Sequence, residues 1–570
     1  MPNNSYRKVK VDKRSGFDKS FRNTLTGTCG TLIPILVDEL CPDTKVHLRE
    51  ALAASLPPLV SDTYMNVRLR VEAFVVPHRL CQANFEDFFS DYPVDLATDY
   101  DVDVILTNQH KGCMPLIRVN YLDVNYPEKV NWYGNGSLLD YFGIPTFVDN
   151  FDFDVVAAPF VAYHLLWLEW YRNPRVQNTS FSKFSEDFHN SSISNISQYS
   201  IFAFCPYTNF YFSQDSVPSQ PCIRVINAAE DSQEDYPIKT LDGKYFCELR
   251  QRNFGLDFFT AAMVEPQQGE MAKVVIESSG GVDSFTISSL RAQNSIQQFR
   301  ERNGLTSPRY QQQIYARYGV APSDGVIQRP VLIGAATYDV YSHGVTSNSA
   351  AFDSGPQVDN FNFFVGAVGS RMGNGFASGS DFLIENFHAK EPMYLIVLAS
   401  LVPEVTYSQN FEPLFVRYNG VGSITDMANG ILQNVGPQPI PKGFLGMASS
   451  KNSFNEVFAY TDRYSDWMIK VNQVHGEMKA YQNGTLSAFV SQRTFDDLPE
   501  FGSEFLEIPT NYLDPVLQFE SQVTKLTYWL DIAFDYKVSM PLQEYAIPSL
   551  QDPGYEHGRT ITLRKNGQLL

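Results

Sequence analysis

One stretch near the C-terminal end constrains the fold more than any other. From Lys525 to Ser539, the residues Leu526, Tyr528, Leu530, Ile532, Phe534, Tyr536 and Val538 fall on one side of a two-residue period. Lys525, Thr527, Trp529, Asp531, Ala533, Asp535 and Lys537 fall on the other. Side chains alternate across a strand and not around a helix, so this run predicts a strand with one buried face. A typical strand has only ~5–6 residues. A run this long therefore predicts a bend or bulge that lets one strand serve two regions of a sheet.

Asn66–Val76 alternates in the same way, with Val67, Leu69, Val71, Ala73 and Val75 opposite Arg68, Arg70 and Glu72. Further strands are predicted at Glu270–Glu277, Asn360–Gly366, Phe382–Phe387 and Met393–Val402. Clusters of Pro, Gly, Asn and Asp separate them, and several intervals are too long for hairpins. Many strands, long excursions and no βαβ rhythm point to a mainly β sandwich or barrel with large loops. Helices are few. Ala158–Tyr171 opens with Pro159 in its first turn and is apolar nearly all round, which predicts a buried helix. Ser289–Arg302 is the second.

The chain has 570 residues, 44% of them hydrophobic, which excludes a disordered polyelectrolyte. No internal repeat and no long linker divides it, so one domain over 1–570 is expected. Only 19% of residues are charged, while Phe (42) and Tyr (31) are abundant, as suits a surface largely covered by partners. The N-terminal segment lacks an apolar signal core, and the longest apolar stretch, Leu395–Val402, is far too short to span a bilayer, so no membrane insertion is expected. Seven scattered cysteines without a CxxC fit free thiols in a reducing compartment better than a disulfide framework.

Charge is unevenly placed. Residues 1–22 carry Arg7, Lys8, Lys10, Lys13, Arg14, Lys19 and Arg22 against Asp12 and Asp18, a net +5. The last fourteen residues add Arg559, Arg564 and Lys565, while the whole chain is at −19. A basic N-terminal arm (1–30) and a basic C-terminal arm (540–570) on an acidic body are expected to seek a polyanion. Those seven N-terminal cations are the candidate nucleic-acid-binding residues, with Tyr6, Phe17 and Phe21 as candidates for stacking on bases. Residues 177–233 read differently. They are rich in Ser and Asn, then aromatic, and are expected to form a surface insertion.

Catalytic signatures are absent: no HExxH, no GxSxG, no P-loop and no zinc spacing. Glycine-rich Val365–Ser380 lacks the trailing Lys-Ser/Thr of a phosphate loop and reads as a flexible loop. The acidic run Asp95, Asp99, Asp101 and Asp103 lacks the Gly and Glu that a calcium loop needs. His164, inside the apolar helix, reads as a hydrogen-bonded core residue. No catalytic residue, metal or cofactor is nominated, and no enzyme activity is expected.

Leu290–Gly334 contains Gln293, Gln297, Arg309–Tyr310, Tyr318–Gly319–Val320 and Gln328–Arg329–Pro330. This segment resembles a hallmark stretch of the major capsid proteins of Microviridae, the small icosahedral single-stranded DNA phages, gokushoviruses among them. Other blocks are similar and fall in the family's order: Leu32–Pro34, Met65–Leu80, Tyr163–Tyr171, Phe458–Met478 and Asp531–Pro548. The resemblance implies an eight-stranded antiparallel jelly roll with large loop insertions. It also implies a homo-oligomeric T=1 shell around circular single-stranded DNA, assembled in the bacterial host cytoplasm. Minor virion, DNA-packaging or scaffolding proteins and a host surface receptor are the implied partners. Gokushoviruses carry a large insertion after a Pro-Gln-Lys-Gly-like segment. Here Pro266–Gln267–Gln268–Gly269 runs almost directly into Ala272–Glu277, and the extra length lies at 177–233. Aromatic content and the wide use of β-sandwiches in lectins leave one alternative, a carbohydrate-binding or carbohydrate-active protein.

Overall fold

In the computed structural model, the main described segments are residues 15–60, 66–81, 158–177, 248–267, 287–305, 329–342, 375–416, 436–446, 454–480, 484–517 and 526–542, with shorter pieces between them. Nine strands build the principal sheet. They are β1 (Ser15–Asp18), β2 (Phe21–Gly27), β3 (Ile33–Leu40), β4 (Lys45–Ser55), β5 (Val67–Pro77), β6 (Val331–Ser342), β7 (Gly375–His388), β8 (Met393–Pro403) and β9 (Tyr528–Met540). Their order is β1-β9-β4-β7-β6-β5-β8-β3, with β2 also on β9, and every pairing is antiparallel.

β1 and β2 together follow β9 from Met540 back to Tyr528, so they act as one interrupted edge strand. At the interruption the Lys19 amide donates to the Tyr536 carbonyl (2.8 Å), and the Tyr536 amide donates to Ser20 Oγ (3.1 Å). The sheet thus has two halves, β1/β2-β9-β4-β7 and β6-β5-β8-β3. They join where Tyr341 and Ser342 pair with Phe376 and Gly375. At the opposite side the two free edges meet through side chains: Asn23 Nδ2 donates to the Ile35 carbonyl (2.9 Å), and Tyr536 donates to Asp38 (2.6 Å). The result is a curled, mainly β half-barrel that fits a jelly roll. Its unpaired edges are blunted by each other. Leu48, Leu52, Val71, Val397, Leu530 and Ile532 from both halves share one apolar core.

The alternation in β9 holds from Tyr528 onward: Tyr528, Leu530, Ile532, Phe534, Tyr536 and Val538 are buried, whereas Trp529, Ala533 and Lys537 are exposed. It fails one step earlier, where Thr527 is fully buried. Its amide donates to the Gly27 carbonyl (2.8 Å), and its Oγ1 accepts from the Cys29 amide (3.2 Å). β5 departs more. From Val71 to Pro77 both faces are buried, because helix α1 (Ala158–Leu166) covers the outside of β5 and β8. β8 is likewise buried on both faces, which explains its unbroken apolar sequence.

α1 spans Ala158–Leu166 and continues as a π-helical turn, Trp167–Tyr171, as the sequence predicts. Three of its ring polar groups are tied to main-chain carbonyls. Tyr163 donates to the Leu32 carbonyl (2.8 Å), Trp167 to the Gln251 carbonyl (2.9 Å) and Trp170 to the Pro330 carbonyl (3.0 Å). His164 is buried and accepts from Arg250 Nε (3.0 Å), the core role expected for it. The second helix, α2, spans Ile287–Leu305.

Where it is described, glycine-rich 365–380 is strand and not the flexible loop expected: Arg371–Met372 pairs with Thr346–Ser347. Gly375 and Gly379 lie in β7, within which the predicted Phe382–Phe387 strand is also contained. A Cβ on Gly379 would sit 2.2 Å from the Tyr338 ring, so glycine here permits a close crossing. The predicted strands Glu270–Glu277 and Asn360–Gly366 and the acidic run 95–103 lie outside the described residues. Residues 177–233 are described only at Gln177 and in a short ladder of Tyr211–Phe212 with Pro218–Ser219.

Candidate nucleic-acid interface

Of the seven candidate cations, the structure describes two. Lys19 ion-pairs with Asp38 and lies over the Tyr536 ring, 5.4 Å from its centroid. Arg22 forks onto Asp531 of β9, and this hydrogen bond and charge hold the Asp531 carboxyl below its usual range. Both are strand or strand-joint residues already matched to carboxylates. The region read as an arm over 1–30 is therefore sheet from residue 15 to 18 and from 21 to 27. Phe17 packs against the core, and Phe21 lies 5.1 Å from Phe534, so neither side chain swings free. Arg7, Lys8, Lys10, Lys13 and Arg14 lie outside the described residues, as does the 540–570 arm beyond Leu542 except for a short ladder of Arg564–Lys565 with Gln568–Leu569.

The arm leaves the sheet at Ser15, opposite Met540. Immediately beside this point, one end of the outer face of β1, β9, β4 and β7 forms an open groove of about 410 Å³. Register places its side chains: Asp18 opposite Lys537, Gly16 opposite Ser539, and then His47 and Lys45 of β4 opposite the same two β9 residues. Asn386 of β7 completes the lining. Lys537 ion-pairs with Asp535 (2.8 Å), a hydrogen bond and charge that raise its pKa. Asp18 accepts from the Ser20 amide (3.0 Å). Lys45 is exposed and has no ion pair among the described residues. His47 Nδ1 bonds the Glu385 carbonyl (2.7 Å), and its ring lies 5.6 Å from that of half-exposed Phe382. The Arg49 guanidinium lies over the Phe382 ring, 5.1 Å from its centroid. An exposed aromatic ring set among cations is the arrangement that takes unpaired bases and phosphates together.

The sequence reading passed over Lys45, His47 and Arg49. They occupy alternate positions of β4, with Val46 and Leu48 inward, so a period-two stripe of basic residues was the available signal.

Two buried polar clusters serve other purposes. Glu72 accepts from Arg252 Nη1 (2.6 Å) and the Tyr171 hydroxyl (2.7 Å), and Arg252 also donates to Ser400 (3.0 Å). Burial alone would raise the Glu72 pKa, but the Arg252 charge and these hydrogen bonds bring it below its ordinary value. The cluster ties α1 and residues 250–253 to the sheet. Glu50, inward on β4, is fully buried among apolar side chains. Its Oε1 accepts from Tyr338 (2.9 Å) while Oε2 has no hydrogen-bond partner. Burial pushes it up to about 7, with the charge of Asp381 adding to the shift. Of the cysteines described, Cys29 and Cys81 are buried thiols and Cys41 is exposed; none is in a disulfide. Among the described residues no group of three or more His, Cys, Asp or Glu could hold a metal, and no helix is long and apolar enough to cross a membrane.

A curled antiparallel half-barrel that fits a jelly roll is an architecture that viral capsid and lectin domains share. The chain belongs to the phage family described as Capsid protein (F protein), which residues 7–550 match. Capsid protein VP1 of Chlamydia phage 1 is 23% identical over 613 residues, covering 95% of this chain and 96% of the relative. Capsid protein VP1 of Bdellovibrio phage phiMH2K is also 23% identical, over 554 residues, covering 94% and 95%. These are microvirus capsid proteins, and the resemblance drawn from sequence blocks stands.

Proposed function

We propose that this chain is the structural subunit of a closed icosahedral phage shell, a component of the virion with no catalytic task. The match over 7–550 carries this reading. The strand order supports the finer fold reading. Counting β1 and β2 as one, the nine strands fill eight places in two four-stranded layers, with all but one chain connection crossing between layers. That is the pattern of an eight-stranded jelly roll.

In this reading the shell encloses single-stranded DNA, and the basic arm touches it through Arg7, Lys8, Lys10, Lys13 and Arg14. Phosphate contacts to single strands weaken with log[salt] at a slope of about −0.7 per phosphate, so five contacts per arm give roughly −3.5. Residues 177–233 present the host-attachment surface; deleting their Ser/Asn-rich part leaves shells intact and abolishes adsorption. The test of the shell reading is electron microscopy of the expressed full chain, alone and with co-expressed virion proteins of its phage. Uniform closed particles are expected, and a chain that stays monomeric under both conditions would contradict it.

A further inference from the structure

From the groove at the root of the N-terminal arm we infer a built nucleotide site, in which Lys45, His47 and Lys537 hold backbone phosphate and Phe382 stacks a base. The inference rests on the shell reading and deepens it, because it assigns single-stranded DNA to a folded surface rather than to a tail.

Three observations converge. First, position: the groove adjoins Ser15, to which the basic segment 7–14 is joined in sequence. Second, size and chemistry: about 410 Å³ suits a nucleotide, and the open lining is mixed, with apolar Phe17, Val46 and Val538 beneath the polar ends of Lys45, His47 and Lys537. The acids nearby are Asp18 within it, Asp535 bound to Lys537, Glu385, which meets His47 through its main-chain carbonyl, and Asp381, whose carboxylate accepts from the Phe382 amide (2.8 Å). Asp18 and Asp535 balance Lys45 and Lys537 in formal charge, and further positive charge is carried by Arg49 over Phe382 and by residues 7–14 of the sequence. Third, the aromatic element: Phe382 stands half-exposed beside Arg49 and His47, held upright on a sheet rather than on a loop. A ring that the fold leaves outside the core, braced by two cationic-type groups, is pre-organised for stacking. Small neighbours on the same face (Ala51, Ala53, Ala533, Ser378, Ser380) leave room for a strand to lie along it.

The test uses full-length unassembled chain with Arg7, Lys8, Lys10, Lys13 and Arg14 changed to Gln, so that the arm is silent. A fluorescein-labelled oligothymidylate is titrated over a series of salt concentrations. In this background K45Q/H47Q/K537Q should weaken binding about tenfold and reduce the salt slope by about 1.4, the phosphate contacts of two lysines being lost. F382L should weaken binding by about tenfold without changing the slope. The charge-retaining K45R/K537R should keep both, and matching thermal melts identify variants that are folded; Lys45→Gln alone, at an exposed site, gives a smaller change of the same sign. Unchanged affinity and slope in K45Q/H47Q/K537Q would overturn the site. Loss of shell assembly with oligonucleotide binding unchanged would also overturn it and mark the groove as a subunit contact. Either result leaves the shell reading intact, because that reading stands or falls on particle formation by the unmodified chain.

Discussion

The two halves of the barrel differ in what covers their outer faces. Behind β5 and β8 lie α1 and residues 250–253, locked on by Glu72, Arg252, Tyr163 and Trp167, so β8 and the Val71–Pro77 end of β5 are dry on both sides. β6, at the layer's end, keeps exposed residues such as Thr337 and Asp339. Behind β9 and β4 no such helix lies among the described residues, and Trp529, Arg49, Lys45 and Lys537 reach solvent. Burial on both sides makes a half rigid and chemically silent. A face left open and dressed with rings and cations is where a partner is met. The same strand-building rules serve both halves; the covering helix decides which is scaffold and which is surface.

The comparison breaks most violently if the shared interior is charged. Leu530→Asp or Ile532→Asp places an unpaired carboxylate in the core, at a cost of several kcal/mol, and should abolish soluble expression. The next largest effect belongs to the covered half. Arg252→Met strands the buried Glu72 charge and should destabilise by about 3–5 kcal/mol in chemical denaturation, with α1 loosening first in hydrogen exchange. Glu50 gives a pH-dependent effect. Its folded-state pKa of about 7 lies above its ordinary 4.5, so protonation favours the fold; stability is full below about pH 4.5 and is lost as pH rises through 7. Glu50→Gln should flatten that decline by about 3 kcal/mol between pH 5 and pH 8, measured as the change in the denaturation midpoint. The smallest effect is on the open face. Asp531→Asn breaks only an exposed pair with Arg22, which solvent screens, and should leave the denaturation midpoint nearly unchanged. Equal damage from Asp531→Asn and Leu530→Asp would mean that the open face is not open.

Much of this was legible in one dimension. The β9 alternation named six buried residues correctly, because a strand with one wet face writes its burial into its sequence. β8 and the end of β5 were legible as strands but not as doubly covered ones, since periodicity disappears once both faces are dry. Gly379 sat in what read as a loop because its reason, the Tyr338 ring, lies on β6, far away in sequence. The candidate site was read from charge density alone. That singled out Lys19 and Arg22, whose neutralising partners Asp38 and Asp531 are supplied by other strands. It missed Lys45 and His47, which become neighbours of Lys537 only through sheet register.

The most direct measurement is a cryo-electron-microscopy reconstruction of assembled, DNA-filled particles. The account predicts that the open face of β9, β4 and β7 lines the lumen, that the α1 side faces away from it, and that ordered density enters the groove between Lys45, Lys537 and Phe382. A reconstruction that puts this face on the particle exterior, or buries it against a neighbouring subunit, would contradict it.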